Sequence, residues 1–118
     1  MLINSLSTGD HIQYCTMREH WTLTLRDTIN GTNRVIYEGD HSVRSLKLSP
    51  NGCRVASLVT RTVIYVWDTY TGRFLGRSPE NTREIKSFVF SPEGNRLIIH
   101  HFDVVKLWNI EEDNLVTL

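Results

Sequence analysis

The sequence lacks an excess of charge of either sign. Its 118 residues include 13 lysines and arginines and 13 aspartates and glutamates, so the formal net charge is zero. The arginines, for example Arg18, Arg44 and Arg61, are scattered among acidic residues and form no basic stripe. Proteins that bind the phosphate backbone usually carry such a stripe. The sequence therefore predicts no nucleic-acid partner.

Long apolar runs and targeting segments are also missing. No stretch approaches the roughly 18 consecutive apolar residues that indicate a membrane-spanning helix. The N-terminal segment has neither the basic start nor the apolar centre of a signal peptide. These absences predict a chain without membrane contact that is located in the cytoplasm, with a nuclear location left open.

Cysteine is rare, with Cys15 and Cys53 as the two examples in the chain. Because a free cysteine is most often a small buried hydrophobe, we expect neither a disulfide nor a metal site from this pair.

Catalytic signatures are absent as well. The sequence contains no GxxxxGK[ST], GxSxG or HExxH motif. His100, His101 and Asp103 are close enough in sequence to suggest a metal site. However, adjacent residues of a strand point to opposite faces, so the two histidines would not meet at one ion. The sequence therefore predicts no enzyme activity, no cofactor and no bound metal.

The most informative feature that is present is an internal repeat. Leu48–Gly52 reads LSPNG and returns as FSPEG at Phe90–Gly94, and more faintly as LSTGD at Leu6–Asp10, so its serine recurs every 42 residues. The pair Trp67-Asp68 returns as Trp108-Asn109 after 41 residues. A period of about 40 to 45 residues is typical of propeller blades, each of which has four strands. The predicted fold is all-β.

The repeat divides the chain into three units, at about residues 1–38, 39–77 and 78–118. Apolar runs between turn residues predict four strands in each unit, at residues 2–6, 11–16, 21–25, 33–38, 43–48, 55–58, 63–67, 73–76, 85–90, 96–99, 104–108 and 115–118. The last strand ends with the chain, so the third unit is predicted to be incomplete. Because a propeller typically closes with about four to eight blades, three units predict a partial or truncated ring.

The units differ in the pattern of their third strand. Residues 63–67, Val-Ile-Tyr-Val-Trp, are apolar at every position, whereas Trp21–Leu25 alternates between apolar and polar residues. A strand that is apolar on both faces must be covered on both faces. The second unit is therefore predicted to lie between two neighbours, and the first at an edge.

The motifs resemble those of the WD40 repeat family. The resemblance covers nearly the whole chain and is carried by Gly39-Asp40-His41, Leu48–Gly52, Val55-Ala56-Ser57, Val66-Trp67-Asp68 and Thr71-Gly72. It implies three four-stranded antiparallel blades of a WD40-type β-propeller in one partial domain, residues 1–118.

The resemblance also implies a buried hydrogen-bond network that joins a histidine, a serine or threonine, an aspartate and a tryptophan in each blade. The second unit offers His41, Ser57 and Trp67, but its turn has no aspartate. The third offers Asp103 and Trp108, with Ile99 in place of the hydroxyl. Each predicted network is therefore incomplete.

Function follows from the same resemblance, which implies a non-catalytic scaffold for protein–protein interaction, or a fragment of one, with a protein as its partner. Two alternatives stay open. One is a sensor or regulatory propeller segment of a larger multidomain nucleotide-switch protein. The other is a structural protomer that completes a ring by self-association.

The predicted partner-binding surface lies at the turns between second and third strands. These turns are apolar or basic where the family usually has small and acidic residues, and exposed Met, Arg and aromatic side chains often anchor interfaces. The candidates are Met17, Arg18, Val59, Arg61, His101 and Phe102. In the alternative interpretation, the same side chains fold inward and fill the gaps left by the missing aspartates.

Overall fold

The computed structural model describes residues 2–8, 11–17, 22–27, 31–39, 43–79 and 83–118. Within these ranges all regular structure is β-strand, which confirms the predicted all-β class. None of the described segments forms a helix with the length and hydropathy that a membrane crossing requires.

The described strands form three antiparallel sheets of four strands each. Sheet 1 contains β1 (Leu2–Thr8), β2 (His11–Met17), β3 (Thr22–Asp27) and β4 (Thr32–Glu38). Sheet 2 contains β5 (Val43–Leu48), β6 (Arg54–Val59), β7 (Val63–Asp68) and β8 (Phe74–Arg77). Sheet 3 contains β9 (Ile85–Phe90), β10 (Arg96–His101), β11 (Val105–Asn109) and β12 (Asn114–Thr117). In every sheet the strands lie side by side in chain order, so each short connection joins two neighbours.

All twelve predicted strands have an observed counterpart whose ends lie within two residues of the prediction. That the third unit is incomplete stays a prediction. β12 spans four residues, as β8 does, and it begins one residue earlier than predicted because Asn114 pairs with Asn109 of β11. The backbone N–H of Leu118 still donates to the carbonyl of Val105 over 2.8 Å.

The repeated serine closes the same turn in sheets 2 and 3. The Ser49 N–H donates to the carbonyl of Arg54 (2.9 Å), and its Oγ accepts from the Arg54 N–H (3.0 Å). Ser91 makes both bonds with Arg96, at 2.9 and 3.1 Å. The glycine three residues after each serine has a φ of 76° or 79°, in the left-handed region where only glycine is free of steric cost. Serine and glycine therefore recur because they build the turn.

Sheet 2 is buried on both of its faces, as predicted. One face contributes Val55, Val59 and Trp67 to a cluster that also holds Leu23 of sheet 1. Full burial of such a side chain stabilises the fold by about 1.5–3 kcal/mol. The cluster therefore fixes sheet 1 against sheet 2.

The opposite face of sheet 2 packs against sheet 3. Ala56 and Val66 are neighbours on β6 and β7, and their side chains join Phe88, Leu97 and Trp108 in a second buried cluster. Because successive residues of a strand point to opposite faces, the continuous apolar pattern of β6 and β7 supplies both clusters.

Sheet 3 carries a further apolar row on the face directed away from this cluster. Val89, Ile98, Leu107 and Val116 are direct cross-strand neighbours from β9 to β12. Val89 is 43% exposed and Val116 is 46% exposed. Ile98 follows Ala56 by 42 residues and Leu107 follows Val66 by 41. The row therefore matches the positions through which sheet 2 contacts sheet 3.

We expect the isolated chain to self-associate through this row, because an exposed apolar sheet face favours association. Light scattering coupled to size exclusion should show species above 13.7 kDa. A double substitution, Val89→Lys with Val116→Lys, should shift the population toward monomer. The charge-matched control, Thr32→Lys with Thr117→Lys, should not. A wild-type chain that elutes only as a monomer would contradict the expectation.

Candidate functional site

The candidate site is built from two turns and the lead into β9, at one end of sheets 2 and 3. The turn between β6 and β7 carries Arg61 and is shaped by Thr60, whose φ is 61°. The Ile85 N–H, at the start of β9, donates to the Arg61 carbonyl over 2.8 Å. This bond places the lead into β9 beside the turn of the neighbouring sheet. The turn between β10 and β11 completes the group and carries Phe102 and Asp103.

We define the turn surface as Arg61, Arg83, Lys86, Phe102 and Asp103. The last four, together with Glu84, line an open cleft of about 330 Å³. Phe102 is 90% exposed, although it is a large apolar side chain. Arg61 and Lys86 are exposed as well. Two predicted candidates, Arg61 and Phe102, are thus accessible on one surface.

Two other predicted partner-binding residues are buried, which requires a correction. Val59 is 1% exposed because it ends β6 on the face that packs against sheet 1. His101 is 8% exposed and follows a bulge at the end of β10, and its Nδ1 lies 3.1 Å from the Glu84 carbonyl oxygen. Neither side chain is therefore available on the surface of the described residues.

The remaining candidates, Met17 and Arg18, lie where one range of described residues ends. Met17 is the last residue of β2, and Arg18 lies outside the described residues. His41, which the resemblance assigns to a hydrogen-bond network, also lies outside them. Its predicted partners Ser57 and Trp67 are buried, at 0% and 1% exposure. The network of the second unit therefore stays a prediction.

In the third unit, the resemblance assigns Asp103 and Trp108 to one hydrogen-bond network. The indole Nε1–H of Trp108 donates to Oδ1 of Asp113, at 3.0 Å. Asp113 follows Trp108 by five residues in the turn before β12 and has a left-handed φ of 52°. Asp103 precedes Trp108 by five residues, at the other end of β11. The indole therefore bonds to an acceptor that lies beside its own end of the strand.

Asp103 pairs with Arg83 instead, through a hydrogen bond from Nη1 to Oδ1. Arg83 follows His41 by 42 residues, so it holds the repeat position at which the second unit has its histidine. The hydrogen bond from Arg83 lowers the pKa of the Asp103 carboxyl below its ordinary value of 3.8. Both side chains are more than half exposed, so solvent screens their attraction. The pair orders the turn surface and adds little to stability.

The turn surface combines an exposed aromatic ring with charged side chains. Arg83 is paired with Asp103, Lys86 lines the same cleft as Phe102, and Arg61 lies exposed in the turn of the neighbouring sheet. Among the described residues, no cluster of His, Cys, Asp and Glu has the arrangement needed to hold a metal ion. Cys53 is a free, half-buried thiol.

Sequence reasoning missed a second feature, an aromatic cleft at the junction of sheets 1 and 2. We define it by Tyr37 of β4, Tyr65 and Trp67 of β7, and Phe74 of β8. The cleft has a volume of about 500 Å³. Tyr65 and Trp67 share one strand face in the sequence pattern, but the sequence gives no sign that Tyr37 of another sheet lies opposite them.

Comparison with known proteins gives a partial similarity. Over 109 residues, 90% of its length, the chain is 29% identical to the transcriptional corepressor LEUNIG_HOMOLOG of Arabidopsis thaliana. The chain covers 14% of that protein. No protein-family model matches the chain. The similarity and the all-β sheets fit a WD40-type chain.

The bond between Trp108 and Asp113 predicts a large effect for a small substitution. Asp113→Ala should lower the free energy of unfolding by about 1–3 kcal/mol, because it leaves a buried donor without its acceptor. It also puts alanine at a left-handed φ. Asp113→Asn keeps an acceptor oxygen, and asparagine tolerates this φ, so its free energy of unfolding should fall much less. Thermal melts by circular dichroism provide the test, and equal melting temperatures for wild type and Asp113→Ala would rule out the assigned role.

The pairing of Asp103 with Arg83 predicts a dependence on pH. Because the pKa of Asp103 is lowered in the folded chain, its stabilising contribution is present above the unfolded value and is lost as the pH falls through the folded value. NMR titration of the carboxyl should show the lowered pKa. Arg83→Gln should raise it toward 3.8, whereas Arg73→Gln should leave it unchanged. A pKa that does not respond to Arg83→Gln would contradict the assigned cause.

Proposed function

We propose that the chain is a non-catalytic protein-interaction module of the WD40 type. Its three sheets are then three blades of a propeller, with repeat units at about residues 1–38, 39–77 and 78–118. The internal repeat, the up-and-down order of each four-stranded sheet and the similarity to a corepressor support this proposal. The similarity supports neither the nucleotide-switch alternative nor the ring-completing alternative.

The exposure of Phe102 is the observation that best supports this function. A phenylalanine that is 90% exposed keeps its apolar ring in contact with water, which is unfavourable. The ring belongs to neither of the two buried clusters, so it does not stabilise the core. Aromatic side chains in the centre of an interface commonly supply much of the binding energy. The turn surface therefore binds a protein partner with Phe102 as the central contact and Arg61 beside it.

The charged residues of the turn surface indicate which side chains a partner should present. Lys86 lines the cleft with Phe102, and Arg61 lies in the turn whose carbonyl bonds to the start of β9, while Arg83 is already paired with Asp103. A partner segment with an apolar residue and an adjacent carboxylate would match both the ring and the free positive charge. Since the relative is named a transcriptional corepressor, partners in transcription-regulating assemblies are the first to test. A nuclear location then stands beside the predicted cytoplasmic one.

The test places a photo-crosslinking phenylalanine analogue at position 102 of the full chain, in an extract of the cells that produce it. We expect a defined crosslinked partner. Unlabelled wild-type chain should compete for it, while Phe102→Ala and Arg61→Ala should compete less well by about 1–2 kcal/mol, or roughly five- to thirtyfold in affinity. Both variants should keep the wild-type melting temperature, because both side chains are exposed.

Position 70 provides a matched control for the crosslinking experiment. Tyr70 is also an exposed aromatic residue, at 60%, but it lies in the turn between β7 and β8. The same analogue at this position should not give the crosslinked species. Identical products at positions 70 and 102, or a loss of binding that follows a loss of stability, would overturn the proposal.

A further inference from the structure

The aromatic cleft is a second accessible surface, and it has no role in the function proposed for the turn surface. Its rings meet across two sheets, since Tyr37 belongs to β4 and the other three rings belong to β7 and β8. Trp67 is buried and belongs to the core. Phe74 pairs with Trp67 across the strands but is 47% exposed. Tyr37 and Tyr65 are half-buried. The cleft thus has a buried aromatic floor and accessible aromatic sides.

The ring geometry limits what this cleft can bind. The centroids of neighbouring rings lie 5.2–6.2 Å apart, and their planes are inclined by 56–83°. These values are typical of rings in direct edge-to-face contact. A cage for a methylated ammonium group would set several ring faces around one point, whereas these rings contact one another. The cluster is therefore a continuous aromatic surface and not a cation cage.

Opposite charges lie at the margin of this surface. Glu38, at the end of β4, and Arg77, at the end of β8, both line the cleft and are both exposed. Glu38 can accept hydrogen bonds from a basic side chain, whereas Arg77 can donate to a carboxylate or to carbonyl groups. A ligand that matches both residues would present a basic group and an acceptor group next to an apolar segment.

We propose that the aromatic cleft binds a proline-rich segment of a protein partner in the polyproline II conformation. Proline rings pack against aromatic surfaces, and the preformed helix loses little conformational entropy on binding. The polyproline II helix has no internal hydrogen bonds, so its carbonyl groups are available to Arg77. A basic residue that flanks the prolines pairs with Glu38. This site is separate from the turn surface and does not depend on the proposed role of Phe102.

Fluorescence anisotropy tests the proposal with a labelled peptide of eight prolines that carries arginine at one end and aspartate at the other. The full chain should bind it. Phe74→Leu keeps apolar volume but removes the ring, so it should weaken binding by about fivefold or more. Glu38→Gln should also weaken binding, more strongly at low salt. Tyr70→Leu and Phe102→Leu remove exposed aromatic rings elsewhere and should leave the affinity unchanged.

Three competing results would overturn the proposal. A peptide with the same ends but alternating alanine and glycine could bind equally well, which would mean that the prolines are not recognised. Tetramethylammonium chloride could displace the proline peptide better than sodium chloride does, which would indicate a cation site. A peptide of alternating valine and threonine could bind more tightly, which would indicate strand addition to the edge of β8. No binding of the proline peptide, or equal binding by Phe74→Leu, would likewise count against it.

Discussion

The rest of the structure depends on the burial of sheet 2 on both faces. Val55 and Ala56 are adjacent in β6, and each is fully buried in a different cluster. The neighbouring β7 repeats the arrangement with Val66 and Trp67. Because a single sheet cannot cover itself, these residues require one sheet on each side. The outward apolar row of sheet 3 occupies the positions through which sheet 2 contacts sheet 3. It therefore resembles a face that another sheet would cover.

Buried donors need acceptors, but the fold does not prescribe which residue supplies one. Trp108 is 1% exposed and bonds to Asp113 in the next turn. Its bond leaves Asp103, at the far end of β11, free to pair with Arg83. Two residues that the family resemblance assigns to one network thus make separate local contacts. One of these satisfies the core, and the other orders an exposed surface.

The positions of the strands could be predicted because they depend on patterns within short segments. The repeated serine and glycine mark the turns, and alternation or continuous apolarity marks the strands between them. The candidate site was harder to predict, because exposure depends on contacts between segments. Val59 and Phe102 occur in similar turn contexts, yet Val59 is buried against sheet 1 and Phe102 points to solvent. Likewise, Tyr37 and Tyr65 are 28 residues apart, and no local pattern relates them.

The same constraint that fixes the strands determines where binding surfaces can arise. A residue at the centre of β6 or β7 contacts a neighbouring sheet, so most changes there leave a cavity or a clash. The turns and the outer strands contact fewer neighbours and accept a wider range of side chains. Phe102 lies in a turn, and Phe74 lies on the outer strand of sheet 2. Both are large aromatic side chains that remain substantially exposed, and neither belongs to a buried cluster. The fold therefore supplies a rigid support of buried strands, and the two surfaces proposed for binding lie on its turns and its outer edge.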